Sequence, residues 1–98
     1  MERLTEAVRF NACALERAQR LGYAKDERRL AGKAQGLETI LGFVAQGDVS
    51  VEAVKLHADR IARRESQASR NGHEETAAKL NGELSGVQQA LGIIIAGE

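Results

Sequence analysis

The stretch LAGKAQGLETILGF, residues 30–43, carries three glycines inside a sequence that otherwise has helical periodicity. It recurs as LNGELSGVQQALGI, residues 80–93, where every glycine lies fifty residues further along. The other glycines keep the same offset, Gly22 with Gly72 and Gly47 with Gly97. Residues 1–48 laid on residues 51–98 without a gap give 11 identities. We interpret the chain as an internal duplication with repeats 1–48 and 51–98.

Each repeat has the pattern of two helices separated by a glycine turn, and there is no proline to interrupt them. The first helix is predicted over residues 2–20, ended by Gly22 in the left-handed conformation. The second begins near Ala24 and ends before Gly47. Ser50 is predicted to cap the third helix, with Val49 packed beside it. The apolar stripe predicted for the second helix is Leu30, Ala34, Leu37, Leu41 and Val44.

In the first helix, Asn11 interrupts an apolar stripe formed by Leu4, Val8, Leu15 and Ala18. The fourth helix repeats the pattern of the second. The only β-branched cluster is residues 93–95, which match the end of a helical stripe, so no strand is expected. The sequence therefore predicts one domain over residues 1–98. Its predicted fold is an all-α four-helix bundle of two tandemly duplicated αα-hairpins related by a pseudo-twofold axis.

Six glycines fall inside the second and fourth helices, where each costs about 1 kcal/mol relative to alanine. Close packing of backbones would offset that cost. The preferred interpretation is that the second and fourth helices pack on each other through these glycines; the alternative is that the glycines face another chain. The predicted helix–helix or partner interface is Gly32, Gly36, Ile40, Phe43, Gly82, Gly86, Ala90 and Ile93. Gly42 and Gly92 are predicted to point to the polar side of their helices. They could mark a bend or the close approach of a ligand, or they could simply be inherited from the ancestral hairpin.

Lys33 and Glu83 occupy matching positions of the two repeats, inside the apolar arcs, and have opposite charges. If the second and fourth helices meet about a twofold axis, these two side chains can pair across it. The alternative is that both extend outward into solvent along their apolar stems.

Catalytic and metal-binding residues are scarce in this sequence, which has one cysteine and two histidines. Cys13 lies between alanines and is expected to be a buried small hydrophobe. His57 is expected to be a packed structural residue and His73 to begin the fourth helix. We find no spacing typical of a metal site, a phosphate loop or a nucleophile with its base. The sequence predicts no catalytic residue, no metal, no cofactor and no enzymatic activity.

Charge is balanced, with 14 basic and 14 acidic side chains. Neither repeat is a basic module of the kind that attracts nucleic acid or an anionic membrane. One cluster is nevertheless a candidate contact for an acidic partner, although Asp59 and Glu65 interleave with it and a solvated face is the simpler interpretation. This cluster is Arg60, Arg63, Arg64 and Arg70. A second cluster around the first turn consists of Arg17, Arg20, Arg28 and Arg29.

The sequence also carries expectations about location. A single cysteine rules out an intrachain disulfide and suits a reducing compartment. The first residues do not resemble a signal peptide, and the longest apolar run, residues 93–96, is far too short to span a bilayer. The sequence thus predicts a cytoplasmic protein without a membrane partner.

Two function classes remain. The first is a small non-enzymatic helical protein–protein interaction module that acts as an accessory or inhibitory binding factor, whose partner is another protein or, in a homodimer, itself. Small proteins of this kind include inhibitors carried by phages. The alternative is a nucleic-acid-associated regulator that uses the Arg-rich surfaces. Zero net charge, the wide apolar arcs and the lack of catalytic motifs favour the first class.

Overall fold

The computed structural model of the chain describes residues 2–47 and 50–96. These residues form four helices and no strand. The helices are α1 (Glu2–Leu21), α2 (Ala24–Ala45), α3 (Val51–Arg70) and α4 (Glu74–Ile95). The prediction of an all-α chain with four helices is confirmed, and the arrangement is consistent with a helical bundle.

A glycine in the left-handed conformation ends α1 and α3. Gly22 has a φ of 75°, and the N–H of Tyr23 donates to the carbonyl of Ala18 at 3.0 Å. The second turn repeats this geometry, with Gly72 at a φ of 76° and the following N–H bonded to the carbonyl of Ala68 at 2.9 Å. Both turns are Schellman caps, which satisfy carbonyls that the helix end leaves free. The predicted role of Gly22 is confirmed.

The connection between α2 and α3 also has a glycine after the first helix and, in addition, a side-chain cap at the start of the second. Gly47, with a φ of 77°, follows α2. The side chain of Ser50 accepts a hydrogen bond from the N–H of Ala53 at 3.3 Å, so the predicted N-cap of α3 is confirmed. The predicted packing of Val49 lies outside the described residues, as does Gly97.

Helices α2 and α4 pack against each other at the centre, with α1 mainly on α2 and α3 mainly on α4. The molecule measures 36 × 31 × 19 Å, and its thickness corresponds to about two helix layers spaced 8–10 Å apart. One apolar core runs between the helices. Its buried residues are Leu4, Leu37, Ile40, Val54, Ile61, Ala68, Leu80, Val87, Ala90 and Ile93.

In each of the outer helices, α1 and α3, the buried residues form a line in which they lie seven positions apart. In α3 this line is apolar throughout, whereas in α1 its middle residue is Asn11, which is only 3% exposed. Asn11 was predicted to interrupt the apolar stripe, and it lies within the buried line instead. Its Nδ2 donates to the carbonyl of Leu30 in α2 at 3.0 Å, which satisfies one amide N–H without solvent. The two lines are Leu4, Asn11 and Ala18 in α1, and Val54, Ile61 and Ala68 in α3.

The buried face of α2 differs from the predicted leucine stripe. Of that stripe only Leu37 is buried, and the other members are partly exposed. The buried residues of α2 are Gly32, Gly36, Leu37 and Ile40. The reason is that α4 approaches most closely where side chains are missing, so the glycine strip forms the centre of the face rather than its flank.

Candidate functional site

Four glycines of the predicted interface lie where α2 and α4 meet. A Cβ added at Gly32 would overlap the carbonyl oxygen of Lys79, and one added at Gly36 would overlap that of Glu83. Both neighbours are backbone atoms of α4, which cannot swing aside as a flexible side chain can. The two glycines therefore allow backbone-to-backbone contact between the helices.

The contact is reciprocal. A Cβ at Gly82 would overlap the carbonyl oxygen of Arg29, and one at Gly86 would overlap that of Lys33. These partners lie fifty residues from the partners of Gly32 and Gly36. Because this face of α2 is occupied by α4 of the same chain, it has no room for a helix of another chain.

The remaining residues of the predicted interface are less uniform. Ile40 and Ala90 are fully buried, and Ile93 is nearly so. Phe43 is only partly buried, and its ring meets that of His57 edge-on, with 5.9 Å between centroids. The His57 Nε2 atom is buried and has no hydrogen-bond partner among the described residues. His57 thus packs against the end of α2, where T-shaped ring contacts are favourable.

Gly42 and Gly92 have a different setting from the other helical glycines. Both are exposed, and a Cβ added at either would meet no atom within 4 Å. Nothing in the packing of the described chain requires a glycine at these two positions.

Lys33 and Glu83 lie on opposite sides of the α2–α4 contact, since the carbonyl of each faces a glycine of the other helix. Glu83 is 6% exposed and Lys33 is partly exposed. Within the described residues no ion pair joins them. The ion pair that does bridge the two helices lies at their N-terminal ends, between Arg28 and Glu75 at 3.1 Å.

The four arginines proposed from the sequence as contacts for an acidic partner all lie exposed on α3. The structure brings three of them onto adjoining turns, and none forms an ion pair within the described part of the chain. Glu65, which was expected to neutralise some of this charge, instead accepts a hydrogen bond from Asn81 Nδ2 at 3.0 Å. The arginines are Arg60, Arg63, Arg64 and Arg70.

An apolar groove between α1 and α2 is the surface that sequence reasoning missed. Three large apolar side chains stand exposed along it, Phe10 at 79%, Leu21 at 53% and Tyr23 at 56%. We call it the α1–α2 groove; its volume is about 420 Å³. It is lined by Phe10, Cys13, Ala14, Arg17, Ala18, Leu21, Tyr23, Asp26 and Leu30.

Cys13 belongs to this groove and is exposed, so the expectation of a buried thiol was wrong. The reason is its position on α1. Leu4, Asn11 and Ala18 define the buried direction of the helix, and Cys13 points well away from it at 100° per residue. The expectation rested on the alanines on either side of Cys13, of which Ala12 is exposed and Ala14 only partly buried.

A signal for the groove was present in the sequence, in the comparison of positions fifty residues apart. Phe10, Cys13 and Ala14 in α1 correspond to Arg60, Arg63 and Arg64 in α3. At the turns, Leu21 and Tyr23 correspond to Asn71 and His73. At these five positions the two hairpins therefore differ: the first carries apolar or aromatic residues and the second carries charged or polar ones. Both surfaces are exposed, so burial does not account for the apolar residues.

Within residues 2–47 and 50–96, no group of three or more His, Cys, Asp or Glu side chains could hold a metal ion. In the same described segments, no helix is both long enough and apolar enough to cross a bilayer. Comparisons with models of protein families, with curated proteins and with solved structures find no match.

Proposed function

We propose that this chain is a small, non-enzymatic protein–protein interaction module that acts as an accessory or inhibitory binding factor, and that it binds its partner through the α1–α2 groove. The observation that carries the proposal is the exposure of Phe10, Leu21 and Tyr23 around one groove. Scattered exposed apolar residues are ordinary on a soluble protein, whereas a contiguous patch is typical of a binding surface.

The residue types of the groove support the same proposal. Aromatic residues and arginine are enriched in the centres of protein interfaces, and the groove contains Phe10, Tyr23 and Arg17. At the positions that match Phe10, Cys13 and Ala14, the second hairpin carries arginines on its exposed surface. The fold therefore tolerates charge at these positions, and the apolar groove is best explained by binding. A single exposed thiol at Cys13 suits action in a reducing compartment such as the cytoplasm.

We further propose that residues 1–98 are one domain in which the two hairpins are tandem copies about a pseudo-twofold axis. The reciprocal contacts support this, because Gly32 meets Lys79 as Gly82 meets Arg29. The matching Schellman caps at Gly22 and Gly72 support it as well. Under this proposal the α2–α4 contact is the scaffold, and the outer surfaces of α1 and α3 are where the copies have diverged.

Affinity capture from the native host with a Phe10→Arg variant tests the binding function. Phe10→Arg gives α1 the residue that α3 carries at the matching position. The matched control is Leu56→Arg on α3, which also replaces an exposed large apolar side chain by arginine. We expect the wild type and Leu56→Arg to retain the same partner by quantitative mass spectrometry, and Phe10→Arg to lose it at least tenfold. Equal capture by all three would refute the role of the groove.

The nucleic-acid alternative is favoured by one observation: Arg60, Arg63 and Arg64 are exposed on α3 and form no ion pair with any other described residue. Binding through these arginines would weaken steeply with salt because phosphate contacts release counterions. A titration of labelled duplex DNA with the wild type and with an Arg60→Gln, Arg63→Gln, Arg64→Gln triple variant distinguishes the two classes. We expect weak binding by both proteins that vanishes at moderate salt. Tight binding that only the triple variant loses would favour the alternative.

A further inference from the structure

We infer that the occupant of the α1–α2 groove is a second copy of the same chain, packed about a twofold axis that runs along the first hairpin. The inference rests on the proposed binding function of the groove and names its partner. In this arrangement α1 of one copy lies over α2 of the other. The apolar residues of the two grooves, led by Phe10 and Tyr23, then cover each other.

The charges of the groove are complementary to themselves, as a twofold interface requires. Arg17 lies on the α1 wall and Asp26 on the α2 wall, and both are exposed. Neither forms an ion pair within the described residues. An axis along the hairpin places Arg17 of each copy opposite Asp26 of the other, which gives two equivalent ion pairs flanking the apolar centre. A strongly basic or acidic partner would match only one of the two charges.

The net charge of the molecule agrees with a second copy, and its surface area sets the scale of the contact. The formal net charge is zero, so two chains do not repel each other at long range. A standard interface takes about 800 Å² from each partner, roughly an eighth of the 6293 Å² accessible surface of this chain. A contact of that size extends beyond the groove onto neighbouring exposed residues of α1 and α2.

Charge reversal tests the arrangement. Sedimentation equilibrium of the wild type from micromolar to millimolar concentration should show the mass rising from 10.6 kDa towards twice that value. Arg17→Asp and Asp26→Arg each place like charges at both pairs, so each variant alone should self-associate at least tenfold more weakly. Mixed in equal amounts, the two variants should form a heterodimer, because both pairs are then of opposite charge.

The second hairpin supplies the controls. Gln67→Asp and Thr76→Arg introduce the same two residues at exposed positions fifty residues away, and should leave the dimer intact. Cys13 gives an independent readout, since it lines the groove and is the only cysteine. Its alkylation should slow as the wild-type concentration rises and stay fast in either reversed variant. Circular dichroism confirms that every variant is folded.

The outcomes separate this inference from the proposed function. A wild type that stays monomeric at millimolar concentration overturns the second-copy inference. If another protein is then captured in a Phe10-dependent way, the binding function stands; if none is captured, both fall. A dimer that is insensitive to both reversals overturns the assigned surface. Dimerisation that each single reversal weakens and their mixture restores supports the inference.

Discussion

At the scale of single residues, the glycines inside the helices of this chain occupy two different environments. Gly36 and Gly86 sit where α2 and α4 touch backbone to backbone, and Gly42 and Gly92 face open space. Sequence alone presents all four as helix-interior glycines with the same expected cost. The difference between them is created by α4 and α2 approaching each other, which is a tertiary effect.

We expect Gly36→Ala to destabilise the protein by about 3 kcal/mol, as overpacking does when the obstructing atoms are backbone. The added methyl group would overlap the Glu83 carbonyl, so the helices would have to separate along their shared face. Urea unfolding followed by circular dichroism measures the change. A loss smaller than about 0.5 kcal/mol, the usual effect of a surface substitution, would show that the helices are not held this closely.

Gly42→Ala should have the opposite effect and stabilise the protein by about 1 kcal/mol, because alanine is the better helix former and no atom obstructs it. Gly92→Ala is expected to behave alike. The same unfolding experiment measures both, so the pair serves as the control for Gly36→Ala. A fall in stability would indicate that these glycines permit a bend or contact that helix packing does not reveal.

At the scale of the helices, Asn11 ties the first hairpin together. Its amide reaches the carbonyl of Leu30 from inside the α1–α2 contact, whereas α3 carries Ile61 at the matching position. Asn11→Ala should destabilise the protein by about 1–3 kcal/mol, since it removes the bond and leaves a cavity. Asn11→Ile should cost less because it restores the buried volume. Thermal unfolding of both variants measures this, and an equal cost for both would contradict the role of volume.

Helix boundaries were predictable because they are set by local chemistry. Gly22 and Ser50 act through their own backbone and side chain, and both predictions are confirmed. The buried faces were less predictable. A buried face inferred from periodicity is defined by the large apolar residues. It leaves glycine out, and it treats Asn11 as exposed because its side chain is polar. The structure buries Gly36 and Asn11 because a neighbouring helix supplies a backbone contact to one and a hydrogen bond to the other.

The α1–α2 groove illustrates the same limit for the candidate site. Phe10 and Cys13 lie on α1 away from the predicted apolar stripe, and only the alanines beside Cys13 led to the expectation that it is buried. Comparing Phe10 with Arg60 indicates an exposed position, because an arginine is seldom fully buried unless its charge is paired. That comparison can be made from the sequence alone, once the repeat is recognised. The groove itself could not be predicted in this way, because it is formed by the packing of α1 on α2.

At the scale of the whole molecule, the centre of the fold is the contact between the two halves rather than within either. Leu37 and Ile40 of the first half and Val87 and Ala90 of the second are all buried in one core. Each half alone would expose its glycine strip and these side chains to water. The halves therefore depend on each other for stability, and short helices are marginal without tertiary packing.

We expect peptides covering residues 1–48 and 49–98 to have little helix separately and to become helical when mixed in equal amounts. Self-pairing of the first half through its glycine strip would place two Lys33 residues at the contact, and self-pairing of the second half two Glu83 residues, whereas the mixed pair has one of each, as in the intact chain. Circular dichroism and sedimentation of the separate and mixed peptides measure this. Full helix in either peptide alone, with no gain on mixing, would mean that one hairpin folds independently and that the α2–α4 contact is not what holds the domain together.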